Sequence, residues 1–341
     1  MTAPVRDARP VPLPAGGTTI GGPELSLIVP VKDEEAAIAG FLARVVPLLE
    51  ALYPAGGAAG WEIVFVDDGS SDGTLAAIEA AHRREPRIRA LSLSRNFGKE
   101  AALSAGLDHA AGRAVVPIDV DLQDPPEAIG DMLAKWREGY EVVYGVRRNR
   151  RSDSLSKRMS ADLYYRVHNL LSPDKIPEHA GDFRLLDRVV VDVIRQMPER
   201  NRFMKGLFAW GGFRQAAIEY DRVSRAAGTT KFRAWSLWTL ALDGITSGST
   251  VPLRVWSYLG LGIAALSLAY MLWLIVTTII WGVEVPGYAS LMVAVLFFGG
   301  LQLISLGVLG EYVGRILIET KQRPLYVVRR RLGFDDPDGE A

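Results

Sequence analysis

The chain has 341 residues, 39 basic and 39 acidic side chains, and no cysteine. Zero net charge leaves no electrostatic footprint for nucleic acid, and the lack of thiols excludes a disulfide scaffold, a thiol nucleophile and a thiolate metal site. The averages hide a division: Glu284 is the only charged side chain between Val255 and Gly310, so a polar part is followed by a membrane part.

Residues 1–24 are rich in Pro and Gly and hold no apolar core of signal-peptide length, which predicts a disordered lead-in. Short β-branched runs then alternate with helical stretches, the pattern of a mostly parallel sheet covered by helices. Strands are expected at Leu25 to Val31, Glu62 to Val66, Ile88 to Ser94, Ala114 to Ile118 and Glu141 to Gly145. Helices are expected at Glu34 to Leu52, Gly73 to Arg84, Lys99 to Ala111 and Ala128 to Gly139. Ligands collect at the carboxyl ends of such strands.

Those ends hold the polar clusters. Asp67-Asp68-Gly69-Ser70-Ser71-Asp72-Gly73 suits either a capped turn or a ligand site. Asp119, Asp121 and Asp124 fall within six positions, a concentration of negative charge that is costly without a cation or a basic partner. Oxygen donors without His or Cys favour Mg²⁺ or Mn²⁺, usually shared with a diphosphate. Arg147, Arg148, Arg150, Arg151, Lys157 and Arg158 follow the fifth strand, where guanidinium forks suit a phosphate cradle as well as a surface patch. No G-x-G-x-x-G follows the first strand and no P-loop occurs, so nucleotide oxidoreductases and P-loop NTPases lack their phosphate loops here.

Two uncharged runs, Val255 to Val283 and Val285 to Gly310, each exceed the ~20 residues needed to cross hydrocarbon. Arg254 precedes them, and Arg315, Lys321, Arg323 and Arg329 to Arg331 follow, so both termini are expected on the cytoplasmic side. Leu155 to Leu171 and Phe232 to Ile245 are apolar or mixed but shorter than a span, which suits either interfacial or core helices. The expected organisation is a lead-in over 1–24, an α/β domain over 25–230, a juxtamembrane helix over 231–254, two spans over 255–310 and a cytoplasmic tail over 311–341.

Taken together, the opening Ile28-Val29-Pro30-Val31-Lys32-Asp33-Glu34-Glu35, the turn at Asp67, Ser94-Arg95-Asn96-Phe97-Gly98-Lys99, and Asp119-Val-Asp121-Leu-Gln123-Asp124-Pro-Pro resemble a known family. So do Gly181-Asp182-Phe183-Arg184, Glu199-Arg200-Asn201-Arg202-Phe203-Met204-Lys205-Gly206 with Trp210, and Pro252-Leu253-Arg254 before paired spans. The family is the polyprenyl-phosphate glycosyltransferases, inverting enzymes of family two with a glycosyltransferase A-type, Rossmann-like sheet, in the bactoprenol glucosyltransferase branch related to dolichol-phosphate mannose synthase.

The resemblance implies transfer of a sugar, glucose from UDP-glucose first and mannose from GDP-mannose second, to polyprenyl phosphate at the inner membrane. It implies that Pro30, Glu34, Asp67, Lys99 and Asp119 hold the nucleotide sugar and that Asp119, Asp121 and Gln123 place Mg²⁺ or Mn²⁺ on its diphosphate. Arg147, Arg158 and Arg202 would bind diphosphate or lipid phosphate. Asp182, Arg184 and Lys231 would serve the acceptor, and a homo-oligomer is expected, with the tetramer as the form the resemblance suggests. Lys32 and Asp33 replace the family's usual Tyr-Asn, and Thr230 stands where Ser is common. A processive polysaccharide synthase would need more spans and a Q-x-x-R-W motif, which is absent. A non-enzymatic membrane subunit that binds an anionic ligand is the alternative from another class.

Overall fold

The computed structural model describes residues 22–54, 60–147, 180–197, 199, 204–221, scattered positions between 260 and 281, and 287–334. Strands β1 (Leu25–Val31), β2 (Trp61–Asp67), β3 (Ile88–Leu93) and β4 (Ala114–Pro117) alternate with helices α1 (Glu35–Leu52), α2 (Thr74–Arg84) and α3 (Lys99–His109). Next come α4 (Ala128–Arg137), β5 (Val142–Arg147), β6 (Ala180–Asp187), α5 (Arg188–Gln196), α6 (Met204–Trp210) and β7 (Gln215–Tyr220). The chain then passes through α7 (Tyr288–Thr320) and finishes the described part with β8 (Val328–Leu332).

One eight-stranded sheet runs in the order β7-β5-β6-β4-β1-β2-β3-β8. Strands β4, β1, β2 and β3 are mutually parallel, β7 is parallel to β5, and β6 and β8 run antiparallel to their neighbours. The expected α/β sheet is therefore present in mixed form. Central strands β1 and β2 are buried at almost every position, because helices cover both faces, and they read in sequence as continuous apolar runs for that reason. One core layer joins Phe41 and Val45 of α1, Ile78 of α2 and Met132 of α4 to the sheet. The other joins α3, α5 and α6 to its opposite face through Leu103, Val190 and Phe208.

Helix α3 approaches β1 closely because residue 106 is glycine: a Cβ built there would run into the Ile28 side chain. Gly106→Val is expected to cost ~1–3 kcal/mol through overpacking, read as a lower unfolding midpoint of the detergent-solubilised protein.

Two boundaries differ from expectation. Helix α7 starts after Val285 and continues past Gly310 through Glu311 and Arg315, which form an i,i+4 ion pair at 2.9 Å. Its stretch long and apolar enough to cross a membrane is Phe297–Thr320, none of it buried in the protein. Part of the expected tail instead forms a strand, β8, at the sheet edge. Residues 1–21, both proposed interfacial helices and much of the first expected span lie outside the described residues.

Candidate active site

The loops that leave β1, β2, β3 and β4 meet at the carboxyl end of the parallel strands and enclose an open cleft of ≈ 310 Å³. Pro30, Lys32, Glu34, Asp68, Asn96, Gly98, Lys99, Asp119 and Asp121 are among its lining residues.

The first two loops brace each other. Asp33 takes a left-handed conformation, φ 53°, which Asp tolerates better than most residues. Its carboxylate accepts hydrogen bonds from the Ser71 amide at 2.7 Å and the Ser71 hydroxyl at 3.1 Å, and its own amide donates to Ser70 Oγ at 2.9 Å. The Ser71 amide, with Lys32 behind it, holds the Asp33 carboxyl below the usual carboxylate range. Asp72 is lowered in the same direction, chiefly by the Thr74 hydroxyl. Thr74 Oγ1 also accepts from the Glu34 amide at 2.9 Å, which fixes the entry to α1 beside the cleft.

The two adjacent acids of the second loop face different partners. Asp67 is buried, accepting from the Ser70 amide at 2.9 Å and from Ser92 Oγ at 3.0 Å, and it is not among the cleft-lining residues. Asp68 is also buried but borders the cleft. Its carboxylate receives the Phe97 amide at 2.7 Å and the Gly98 amide at 2.9 Å, so one side chain pins the turn that starts α3.

That turn aims Lys99 across the cleft. Its ammonium donates to both oxygens of Asp119, at 2.6 and 2.8 Å, in a pair roughly half exposed at each side chain. Two residues on, Asp121 is exposed, and its Oδ2 accepts from the Gln123 side-chain amide at 2.5 Å. Leu122 between them sits at φ 53°, a conformation that costs a branched residue energy and is kept where surroundings enforce it. The enforcement is visible: Gln123 is buried, and the Tyr220 hydroxyl at the end of β7 donates to Asp124 Oδ1 at 2.6 Å.

The carboxylates of Asp119 and Asp121 are hard oxygen donors on the cleft wall, the donor type that Mg²⁺ or Mn²⁺ takes. Among the described residues no third acid or His joins them into a three-membered site. The pair therefore fits a cation whose remaining positions are filled by a ligand's oxygens and by water, as a diphosphate would provide. Gln123 stands as the brace of Asp121, with its amide nitrogen turned to that carboxylate.

Of the residues singled out in sequence, Pro30, Glu34, Lys99, Asp119 and Asp121 come together in the cleft. Asp67 lies beneath it. Arg184 occupies the interior of β6, buried, with its guanidinium 4.3 Å from the centre of the Phe208 ring. For Arg147 and Asp182 only the backbone is described, in β5 and β6, and Arg158, Arg202 and Lys231 lie outside the described residues. Asp68 and Asn96 also line the cleft, a role that their sequence pattern did not reveal. Position at a strand's carboxyl end was the available signal, yet Asp67 shared it.

Against known proteins, the chain matches the family description Glycosyl transferase family 2 over residues 26–195 and GtrB C-terminal hairpin over residues 251–316. It is 53% identical over 312 residues to an uncharacterised glycosyltransferase of Synechocystis, covering 92% of this chain and 96% of that one. It is 50% identical over 307 residues to the bactoprenol glucosyl transferase of Shigella phage SfII, covering 90% and 98%. A prophage bactoprenol glucosyl transferase homolog of Escherichia coli is 50% identical over 308 residues, covering 90% and 99%. Among solved structures, a glucosyl-3-phosphoglycerate synthase of Mycobacterium tuberculosis, in complex with Mn²⁺, UDP-glucose and phosphoglyceric acid, is similar at TM-score 0.45 and 20% identity, over 66% of this chain and 78% of that one.

Proposed function

Because the chain belongs to glycosyl transferase family 2, we propose that it transfers glucose from UDP-glucose to a polyprenyl phosphate, with inversion at the anomeric carbon. The observation that carries this reading is one chain combining an acid-lined cleft at the strand ends with a helical stretch, Phe297–Thr320, that is long and apolar enough to cross a membrane and that the protein does not bury. The bactoprenol glucosyl transferases that share half of its residues, and the match to the GtrB hairpin, support the same acceptor and a membrane location.

In this reaction the anomeric carbon's bond to the diphosphate oxygen breaks as a bond to a phosphate oxygen of the acceptor forms on the opposite face. UDP departs with the bonding electrons. The acceptor oxygen is already anionic at neutral pH, so no strong base is needed, and catalysis rests on positioning and on stabilising charge in the leaving diphosphate. Bound Mg²⁺ or Mn²⁺ would supply part of that stabilisation, held by Asp119 and Asp121 with Gln123 steadying the second. Lys99, which reaches across the cleft to Asp119, offers a second positive charge to the diphosphate. Pro30 and Glu34 border the part of the cleft assigned to the nucleotide. Arg147, Arg158 and Arg202 are assigned to phosphate, and Asp182, Arg184 and Lys231 to the acceptor side. Arg184 would act there from within the core, by shaping the strand that carries Asp182.

In the same proposal the hairpin spans the inner membrane with both termini cytoplasmic, and the protein assembles as a homo-oligomer, which light scattering of the purified full-length chain checks.

The decisive assay incubates the full-length protein with undecaprenyl phosphate and labelled UDP-glucose, GDP-mannose or UDP-galactose. Label from UDP-glucose is expected in the organic phase, with EDTA abolishing transfer and added Mg²⁺ or Mn²⁺ restoring it. Label from GDP-mannose alone would replace the sugar assignment, and undiminished transfer in EDTA would remove the cation from it.

A further inference from the structure

We propose that the basic segment after the apolar helix, residues 321–331, docks the edge of the catalytic sheet onto anionic lipid headgroups and so sets the cleft mouth against the bilayer. The inference rests on the lipid-phosphate reading above and adds a partner, the lipid surface, and a surface that meets it.

Residues 321–334 carry Lys321, Arg323, Arg329, Arg330 and Arg331 and no acid. All five are exposed. The segment folds as well as bearing charge, since β8 pairs antiparallel with β3 and is the last strand of the sheet. Val328, the first residue of β8, is the partner of Leu93, the last of β3, and the Ser94 amide donates to Val327 O at 2.9 Å. The chain thus enters the sheet at the carboxyl end of the parallel strands, the end that carries Asp68, Lys99 and Asp119. Residues 321–327 alone separate that point from the last residue of α7, Thr320. Seven residues reach at most ~25 Å when fully extended, so the sheet corner beside the cleft stays close to the level at which the helix leaves hydrocarbon.

Arginine on an edge strand has a second use, blocking pairing with another sheet. Here the residues divide between tasks. Arg330 is engaged with Glu79 of α2 and fastens β8 to the domain, an attachment shared by Tyr326, whose hydroxyl donates to Asp108 Oδ2 at 2.7 Å. Arg329 and Arg331 have no ion-pair partner among the described residues. An anionic leaflet supplies the complementary charge to such a basic juxtamembrane strand, and the attraction acts only within about a Debye length, ~8–10 Å, which the short connection allows.

The test compares the parent, R329Q/R331Q and R329K/R331K, each full-length, in vesicles of phosphatidylcholine with and without phosphatidylglycerol. The acceptors are undecaprenyl phosphate and a short, water-soluble prenyl phosphate. Phosphatidylglycerol is expected to lower the parent's KM for the long acceptor and to slow amide exchange in residues 321–332. R329Q/R331Q loses both responses, roughly fivefold in KM per arginine, while R329K/R331K keeps them. An unchanged KM for UDP-glucose and unchanged turnover of the short acceptor would show that the variant's site is intact. Retention of both lipid responses by R329Q/R331Q, or equal losses on the two acceptors, overturns the docking surface. Failure of the parent to glycosylate either prenyl phosphate overturns the functional reading instead, and the exchange data then still report on the surface.

Discussion

Asp119→Asn and Asp121→Ala are each expected to lower glucose transfer by about 10²- to 10³-fold while leaving the unfolding midpoint near that of the parent, the scale of losing one preorganised charge at a reacting centre. Neither side chain supports the core: Asp121 is exposed and Asp119 is partly so, in an ion pair with Lys99 whose exposure limits its worth to less than ~1 kcal/mol. The weakness of that pair bears on the proposed cation, which would displace the ammonium at little cost. Two roles for Asp119 then separate cleanly. If it binds the cation, Asp119→Asn raises the Mg²⁺ or Mn²⁺ concentration needed for half-maximal rate, while Lys99→Met lowers it by freeing the carboxylate and weakens UDP-glucose binding. If Asp119 serves only to hold Lys99, the two variants lose activity alike and leave the cation requirement where it was. Rates over a cation titration, at saturating UDP-glucose, decide between them.

The parts of this site visible in sequence are those fixed by local pattern. Strands β1 to β5 emerge as apolar runs because both faces or one whole face are buried, and strand ends bound the loops where Asp67, Asp68, Asp119 and Asp121 fall. Strands β7 and β8 were not legible. QAAIEY and VRRRL lie at the two sheet edges, where exposure admits polar side chains and dissolves the apolar run. The antiparallel β6 carries acids at Asp182 and Asp187, the latter capping α5 through the Val189 amide at 2.9 Å, and so reads as loop. Nor can spacing reveal that Lys99 reaches Asp119, twenty positions on, or that Tyr220 closes on Asp124, since these meetings depend on the sheet order. The choice between Asp67 and Asp68 was beyond pattern too. Adjacent residues at a strand end face opposite ways, and here one turns to Ser92 below while the other turns to the amides of the β3–α3 turn.

That turn carries the second large effect. Asp68→Ala removes the acceptor for the Phe97 and Gly98 amides, leaving donors that cost roughly 1–3 kcal/mol where water does not reach them, and loosens the start of α3. Since Lys99 is the first residue of α3, the expected result is a joint loss: a lower unfolding midpoint and a KM for UDP-glucose raised at least about tenfold, the order of effect expected when a positioned group is misplaced. Asp68→Asn keeps one acceptor oxygen but sets an NH₂ against the other amide, so its loss is intermediate. Gly69→Ala reaches the same contact from the backbone side. Gly69 sits at φ 69°, and a Cβ there would lie 2.6 Å from the Arg95 carbonyl carbon and 2.8 Å from the Asn96 nitrogen, backbone atoms that no rotamer change can clear. The loops must part, and Asn96 and Lys99 move with them. Because both substitutions break one apposition, their combined cost falls well short of the sum of the single costs. A double-mutant cycle read by calorimetry and by KM measures this, and strict additivity in both readouts would mean that Asp68 and Gly69 act on the cleft separately.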